Sequence, residues 1–140
     1  MGWQAGQPHI YDGGDIPFSA TSLASVGQGV VGILEHPDET KNRDVYIEDI
    51  KITQNKLLEL AKKAAPEKKW EPVSASLDEL IKTSDEKLAA GDYSVILNYI
   101  LRALYDPSYG SAFEKVDNEL LGIKGKTDAD VEAIWKKVLA

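Results

Sequence analysis

Leu23-Ala24-Ser25-Val26-Gly27-Gln28-Gly29-Val30-Val31-Gly32-Ile33-Leu34-Glu35 has two readings, and the choice between them decides the fold. Gly27-Gln28-Gly29-Val30-Val31-Gly32 is literally G-x-G-x-x-G, and Glu48 and Asp49 follow about 20 residues later, the spacing of a dinucleotide-binding fingerprint. That fingerprint works only in a tight turn between a buried strand and a helix, where the pyrophosphate meets the helix amino terminus. Here the apolar residues at 23, 26, 30, 31, 33 and 34 already follow a helical period before the first glycine. The would-be strand, Leu23 to Val26, is short and weakly apolar, and the would-be helix has only about two turns before Pro37. The stretch therefore reads as one helix, capped by Thr21 or Ser22 and stopped by Pro37. Its glycines allow close packing at roughly 0.5 to 1 kcal/mol each relative to alanine.

Around this helix the chain alternates. His9-Ile10-Tyr11 reads as a short strand ended by the turn cluster Asp12 to Asp15. Val45-Tyr46-Ile47 reads as a second strand, and Trp70 to Val73 as a third, confined to an edge by Pro72. Thr53 opens a helix with Leu57, Leu58, Leu60 and Ala61 on its apolar face, and Pro66 ends it. Ser76-Leu77-Asp78-Glu79 is a capping box that starts the next helix. Gly91-Asp92 breaks that helix, and Thr127 caps a terminal helix with Val131, Ile134, Trp135 and Val138 on one stripe. Between them, Tyr93 to about Tyr105 forms a helix with only Ser94, Asn98 and Arg102 as a polar stripe. Such a helix is normally buried on most sides, so it expects cover from the core, a second subunit or a missing domain. The pattern predicts one α/β (or α+β) domain over residues 1–140: a small mixed sheet of about three short strands packed with about five helices.

Composition narrows the function. Hydrophobic residues at 43% and charged residues at 28% are ordinary for a globular chain. With 23 acidic against 16 basic residues, and only Arg43 and Arg102 as arginines, the net charge of −7 argues against nucleic acid and against anionic membrane surfaces. No run is long enough to span a bilayer, and Met1 to Gln7 has neither part of a signal peptide, so the expected location is cytoplasmic. The absence of cysteine removes thiol nucleophiles and thiolate metal sites. His9 and His36 are far apart in sequence, and no metal or cofactor site is read from them. No G-x-S-x-G elbow, H-E-x-x-H or phosphate-binding glycine-lysine loop is present, so no catalytic residue is assigned. Tyr99, Tyr105, Tyr109 and Phe113 cluster along one stretch. They are read either as aromatic packing or as the wall of an apolar substrate pocket.

Several segments in order carry a family resemblance: Ile10-Tyr11-Asp12-Gly13-Gly14-Asp15-Ile16-Pro17-Phe18-Ser19, Val30-Val31-Gly32-Ile33-Leu34-Glu35-His36-Pro37, Thr40-Lys41-Asn42-Arg43-Asp44-Val45-Tyr46-Ile47 and Thr53-Gln54-Asn55-Lys56-Leu57. Their order and spacing resemble the NmrA-like family, and within it the isoflavone-reductase-like oxidoreductases. The match covers residues 8 to 65 well and is looser from Trp70 onward. The resemblance implies that this chain corresponds to the carboxy-terminal, substrate-binding half. The Rossmann domain that holds NADP(H), with its glycine fingerprint and catalytic lysine, would then lie before the point where this chain begins. It implies a small apolar or aromatic ligand at Tyr99, Tyr105, Tyr109 and Phe113, no cofactor in this chain, and cover from a homodimer or the missing Rossmann domain. Whether the chain catalyses anything alone is left open. The alternatives are a non-catalytic protein-interaction or dimerisation module, as in NmrA itself, and a cofactor-independent cyclase or isomerase using the residual pocket.

Overall fold

A computed structural model describes residues 2–139. Four three-residue strands form two separate ladders. β1 (His9–Tyr11) runs parallel to β4 (Val73–Ala75), with His9 opposite Val73 and Tyr11 opposite Ala75. β2 (Phe18–Ala20) runs antiparallel to β3 (Ile50–Ile52), with Phe18 opposite Ile52. The helices are α1 (Leu23–Glu35), α2 (Pro37–Thr40), α3 (Gln54–Ala64), α4 (Leu77–Ala89), α5 (Ile96–Tyr105) and α6 (Asp128–Leu139). The α/β class is as the pattern predicts, but the single sheet becomes two ladders.

Helix starts fall where the caps were read. Ser22, Thr53 and Ser76 each accept a hydrogen bond from the backbone N–H three residues on, which satisfies a donor the first turn leaves free. Thr127 does the same for the Asp130 N–H, and the Asp130 carboxylate accepts from the Thr127 N–H in return. Pro37 ends α1 and opens α2, where its missing N–H costs nothing. α3 packs on α6 and α4 on α5. Phe18, Ile52, Leu60 and Val131 form the core, with Leu57, Leu104, Tyr105 and Trp135 closing around it.

Strand placement differs from the sequence reading. Val45-Tyr46-Ile47 joins no ladder, because the backbone groups of Tyr46 and of Glu48 just after it are taken by a distant loop. The Tyr46 N–H donates to the Asp117 carboxylate at 3.1 Å, the Tyr46 carbonyl accepts from the Asp117 N–H at 2.7 Å, and the Glu48 N–H donates to Asn118 Oδ1 at 3.1 Å. The ladder partner is instead Ile50–Ile52. The third strand starts where Trp70 to Val73 was expected to end, just past Pro72, which cannot donate to a ladder.

The glycines of Gly27-x-Gly29-x-x-Gly32 all lie inside α1, so their backbone groups serve the helix and not a phosphate. A β-carbon on Gly32 would stand 2.8 Å from Leu121 Cα, and one on Gly29 would stand 3.1 Å from Ile47 Cδ1. One on Gly27 would meet nothing within 4 Å. Two of the three glycines thus let α1 settle onto Ile47 and Leu121, and the third has no such reason within the chain. Of the covers expected for the helix at 93–105, the core of this chain does not supply one, which leaves the second subunit or the missing domain read from its sequence. The segment is a 3-10 turn (Tyr93–Val95) followed by α5; Val95 is buried, but Ile96, Leu97 and Ile100 stay more than half exposed because no described element lies over them.

Asp49 fixes the start of α1. Its buried carboxylate accepts the Ser22 N–H at 2.8 Å and pairs with Lys126 Nζ at 3.0 Å. Burial alone would raise its pKa, but hydrogen bonds from Ser25, Ser22 and Lys126 outweigh that and hold it down to about 2. The depressed folded pKa means the stabilisation is present above the unfolded value and fades as pH falls toward 2. Asp49→Asn should therefore cost about 2 kcal/mol at pH 7 and nearly nothing near pH 2, read from urea unfolding at both pH values. In the same assay Gly32→Ala should destabilise by about 1–3 kcal/mol, because backbone must shift, while Gly27→Ala should be neutral or gain up to about 1 kcal/mol.

Candidate functional site

A cleft of about 660 Å³ opens between the segment before β2, the extended residues around Tyr46 and the chain after α5. Ile16, Pro17, Tyr46, Tyr109, Phe113 and Lys115 are among its lining residues. Its inner wall is built by residues 111–113 lying along β2. The Ser19 N–H donates to the Ser111 carbonyl at 2.8 Å, and the Phe113 N–H donates to the Ser19 hydroxyl at 2.9 Å. The Ser19 hydroxyl in turn donates to the Glu48 carboxylate, and Lys51 Nζ donates to the Phe113 carbonyl at 2.6 Å. Phe113 is thereby held at both its N–H and its carbonyl.

The opposite wall is fixed by charge. Arg43 holds the Asp117 carboxylate through both terminal nitrogens, at 3.1 and 2.9 Å, and the same carboxylate holds the Tyr46 N–H. The Arg43 side-chain hydrogen bond, helped by the Tyr46 N–H, lowers the Asp117 pKa despite some burial. The rings of Tyr46 and Phe113 meet at 4.9 Å with a 54° tilt. At the third side, Asp106 caps the 3-10 turn Pro107–Tyr109, and its pKa is lowered by Ser108, whose hydroxyl and N–H both donate to it. Gly110 follows in the left-handed region, at φ 66°, and turns the chain back toward β2. A largely apolar cleft with three aromatic rings, two of them phenols, and an ammonium can hold a flat organic molecule and read a polar substituent on it.

The four aromatics singled out by sequence separate. Tyr109 and Phe113 line the cleft. Tyr105 belongs to the core: its ring stacks on Tyr11 at 5.8 Å and meets Phe18 edge-on at 5.4 Å, and burial raises its hydroxyl pKa. Tyr99 lies on α5 and donates its hydroxyl to Asp85 on α4 at 2.6 Å, a bond that raises its pKa. Sequence reasoning did not find Ile16, Pro17, Tyr46 or Lys115. Tyr46 stood in the expected strand, and nothing local marked it as a neighbour of Phe113. His36 Nδ1 lies 3.9 Å from the Glu39 carboxylate, but no group of three or more residues able to hold a metal occurs among the described residues. No helix among them is long and apolar enough to cross a membrane.

Replacing the two kinds of tyrosine should separate core from cleft. Tyr105→Ala should cost about 3–5 kcal/mol in unfolding free energy. Tyr109→Ala, at an exposed position, should stay within about 0.5 kcal/mol of the parent in the same urea titration.

No family model matches the chain, and no solved structure matches it. Over 129 residues it is 37% identical to the protein named Oxidoreductase poxI from Penicillium oxalicum and from its strain 114-2. The match takes in 89% of this chain and 41% of that relative. The chain thus spans about two-fifths of the length of the curated relative it matches, and it is similar to a stretch of an oxidoreductase.

Proposed function

We propose that this chain forms the substrate-binding part of an NAD(P)H-dependent oxidoreductase of the NmrA-like, isoflavone-reductase-like kind, taking a small apolar or aromatic molecule in the cleft between Tyr46, Tyr109 and Phe113. The observation that carries the reading is the similarity to Oxidoreductase poxI across 89% of this chain, in a match that leaves more than half of that relative outside it. The cleft adds a place of suitable size and chemistry. The cofactor does not fit the one glycine motif present. Gly27, Gly29 and Gly32 lie within a helix that begins at Leu23, and Gly29 and Gly32 are packed against Ile47 and Leu121, so the motif does not open a helix amino terminus to a pyrophosphate as the fingerprint requires. On this reading the chain binds and orients a substrate, and hydride transfer is supplied from outside the matched region.

Titration of the chain with 1-naphthol and, separately, with NADPH tests this. Naphthol should bind saturably, with NMR shifts confined to Tyr46, Phe113 and their neighbours. Phe113→Ala should weaken that binding roughly two- to tenfold, the worth of one lost aromatic contact. NADPH should show no saturable binding below the millimolar range. Sub-millimolar NADPH binding would overturn the assignment of the cofactor to another part of the enzyme, and absence of naphthol binding would overturn the cleft.

A further inference from the structure

We propose that α1 is a self-association surface, along which two copies of this chain pair antiparallel about a two-fold axis. Gly29 and Gly32 mark its inner side. On the opposite side Leu23, Gly27, Val30 and Leu34 follow one another at spacings of four, three and four, the seam of a heptad repeat. Leu23 is 89% exposed and Leu34 75%, flanked by the half-exposed Val26 and Val31. A row of large apolar side chains this open is a contact surface and not a solvent face.

The occupant follows from the pattern itself. When Gly27 of one copy lies opposite Val30 of the second, antiparallel order brings Leu23 opposite Leu34 and Ser22 opposite Glu35. The same pairs recur from the other side of the axis, as a two-fold contact demands. Gly27 supplies the hole: a β-carbon there would meet nothing within 4 Å, so a valine from the second copy can enter. The charges agree with this register. From Leu23 to Leu34 no residue is charged, which gives chains of net charge −7 a stripe where they can approach one another. Glu35 stands at the carboxy-terminal end of its own helix, the end that disfavours an anion, and no acidic residue occupies the first turn. In the pair, each Glu35 comes beside the amino terminus of the other α1, where the Asp49 carboxylate is already paired with Lys126 Nζ at 3.0 Å. A seam of 13 residues is only about 20 Å long, which places the contact among small, reversible interfaces.

Sedimentation equilibrium of the full chain, from micromolar to submillimolar concentration, tests the pairing. The expected result is a monomer–dimer equilibrium. Gly27→Leu fills the hole on an open surface, so circular dichroism should show an intact fold while the dimer weakens by about tenfold or more. Random hydrophobic association would instead grow stronger with the added leucine. Leu23→Lys and Leu34→Glu should each weaken the dimer alone, and together restore it, because the two positions face each other. A monomer at every concentration would overturn the proposal and leave the face to a different partner. A Gly27→Leu chain that dimerises like the parent, or a double variant no better than the singles, would overturn it as well.

Discussion

Asp49 is the point on which the arrangement depends. Its carboxylate holds the first N–H ahead of α1 and the Lys126 ammonium. Its own N–H donates to the Ala20 carbonyl at the end of β2, and its carbonyl accepts the Lys126 N–H at 2.6 Å. One residue therefore ties a helix start, a ladder end and a distant loop. A buried charge of this kind is costly unless it is paired and hydrogen-bonded, so each of the three segments lowers the cost of placing the other two. With α1 pinned at its start, Gly29 and Gly32 bring the rest of the helix down onto Ile47 and Leu121. The apolar stripe on its far side is then forced outward.

The same logic builds the cleft one layer further out. Asp117 and Asn118, a few residues ahead of Leu121, bind the backbone on either side of Ile47. That capture keeps residues 45–47 out of any ladder and turns Tyr46 toward Phe113. β2, whose end is held by Asp49, carries Ser19, and Ser19 fixes Phe113. Both ring walls are thus supported by hydrogen bonds that run back toward the anchor of α1. A cleft framed in this way is held in shape by the chain itself, and a preformed cavity carries a lower ordering cost for any molecule that enters it.

What could be read from the sequence divides along one physical line. The helices were legible because their signals are local: Ser22, Thr53, Ser76 and Thr127 each cap through an N–H three residues away. The same locality exposed Gly27-x-Gly29-x-x-Gly32 as a helix segment, since its apolar period begins before the first glycine. Tyr109 and Phe113 were legible as cleft residues by type and clustering. Tyr105 and Tyr99 carried the same signal, yet one fills the core and the other bonds to α4.

The sequence by itself determined the helical frame, the α/β class and the acidic, cysteine-free character that excludes several chemistries. Only the tertiary structure decided which strands pair, which aromatics meet and which apolar faces stay uncovered. His9 pairs with Val73, Tyr46 meets Phe113, and Asp49 holds Ser22 and Lys126. Each of these contacts joins residues tens of positions apart. A cap or a helical period is encoded within one or two turns of chain. A long-range contact depends on which of many compact arrangements buries the most apolar surface while leaving every polar group a partner, and no short window of sequence contains that comparison.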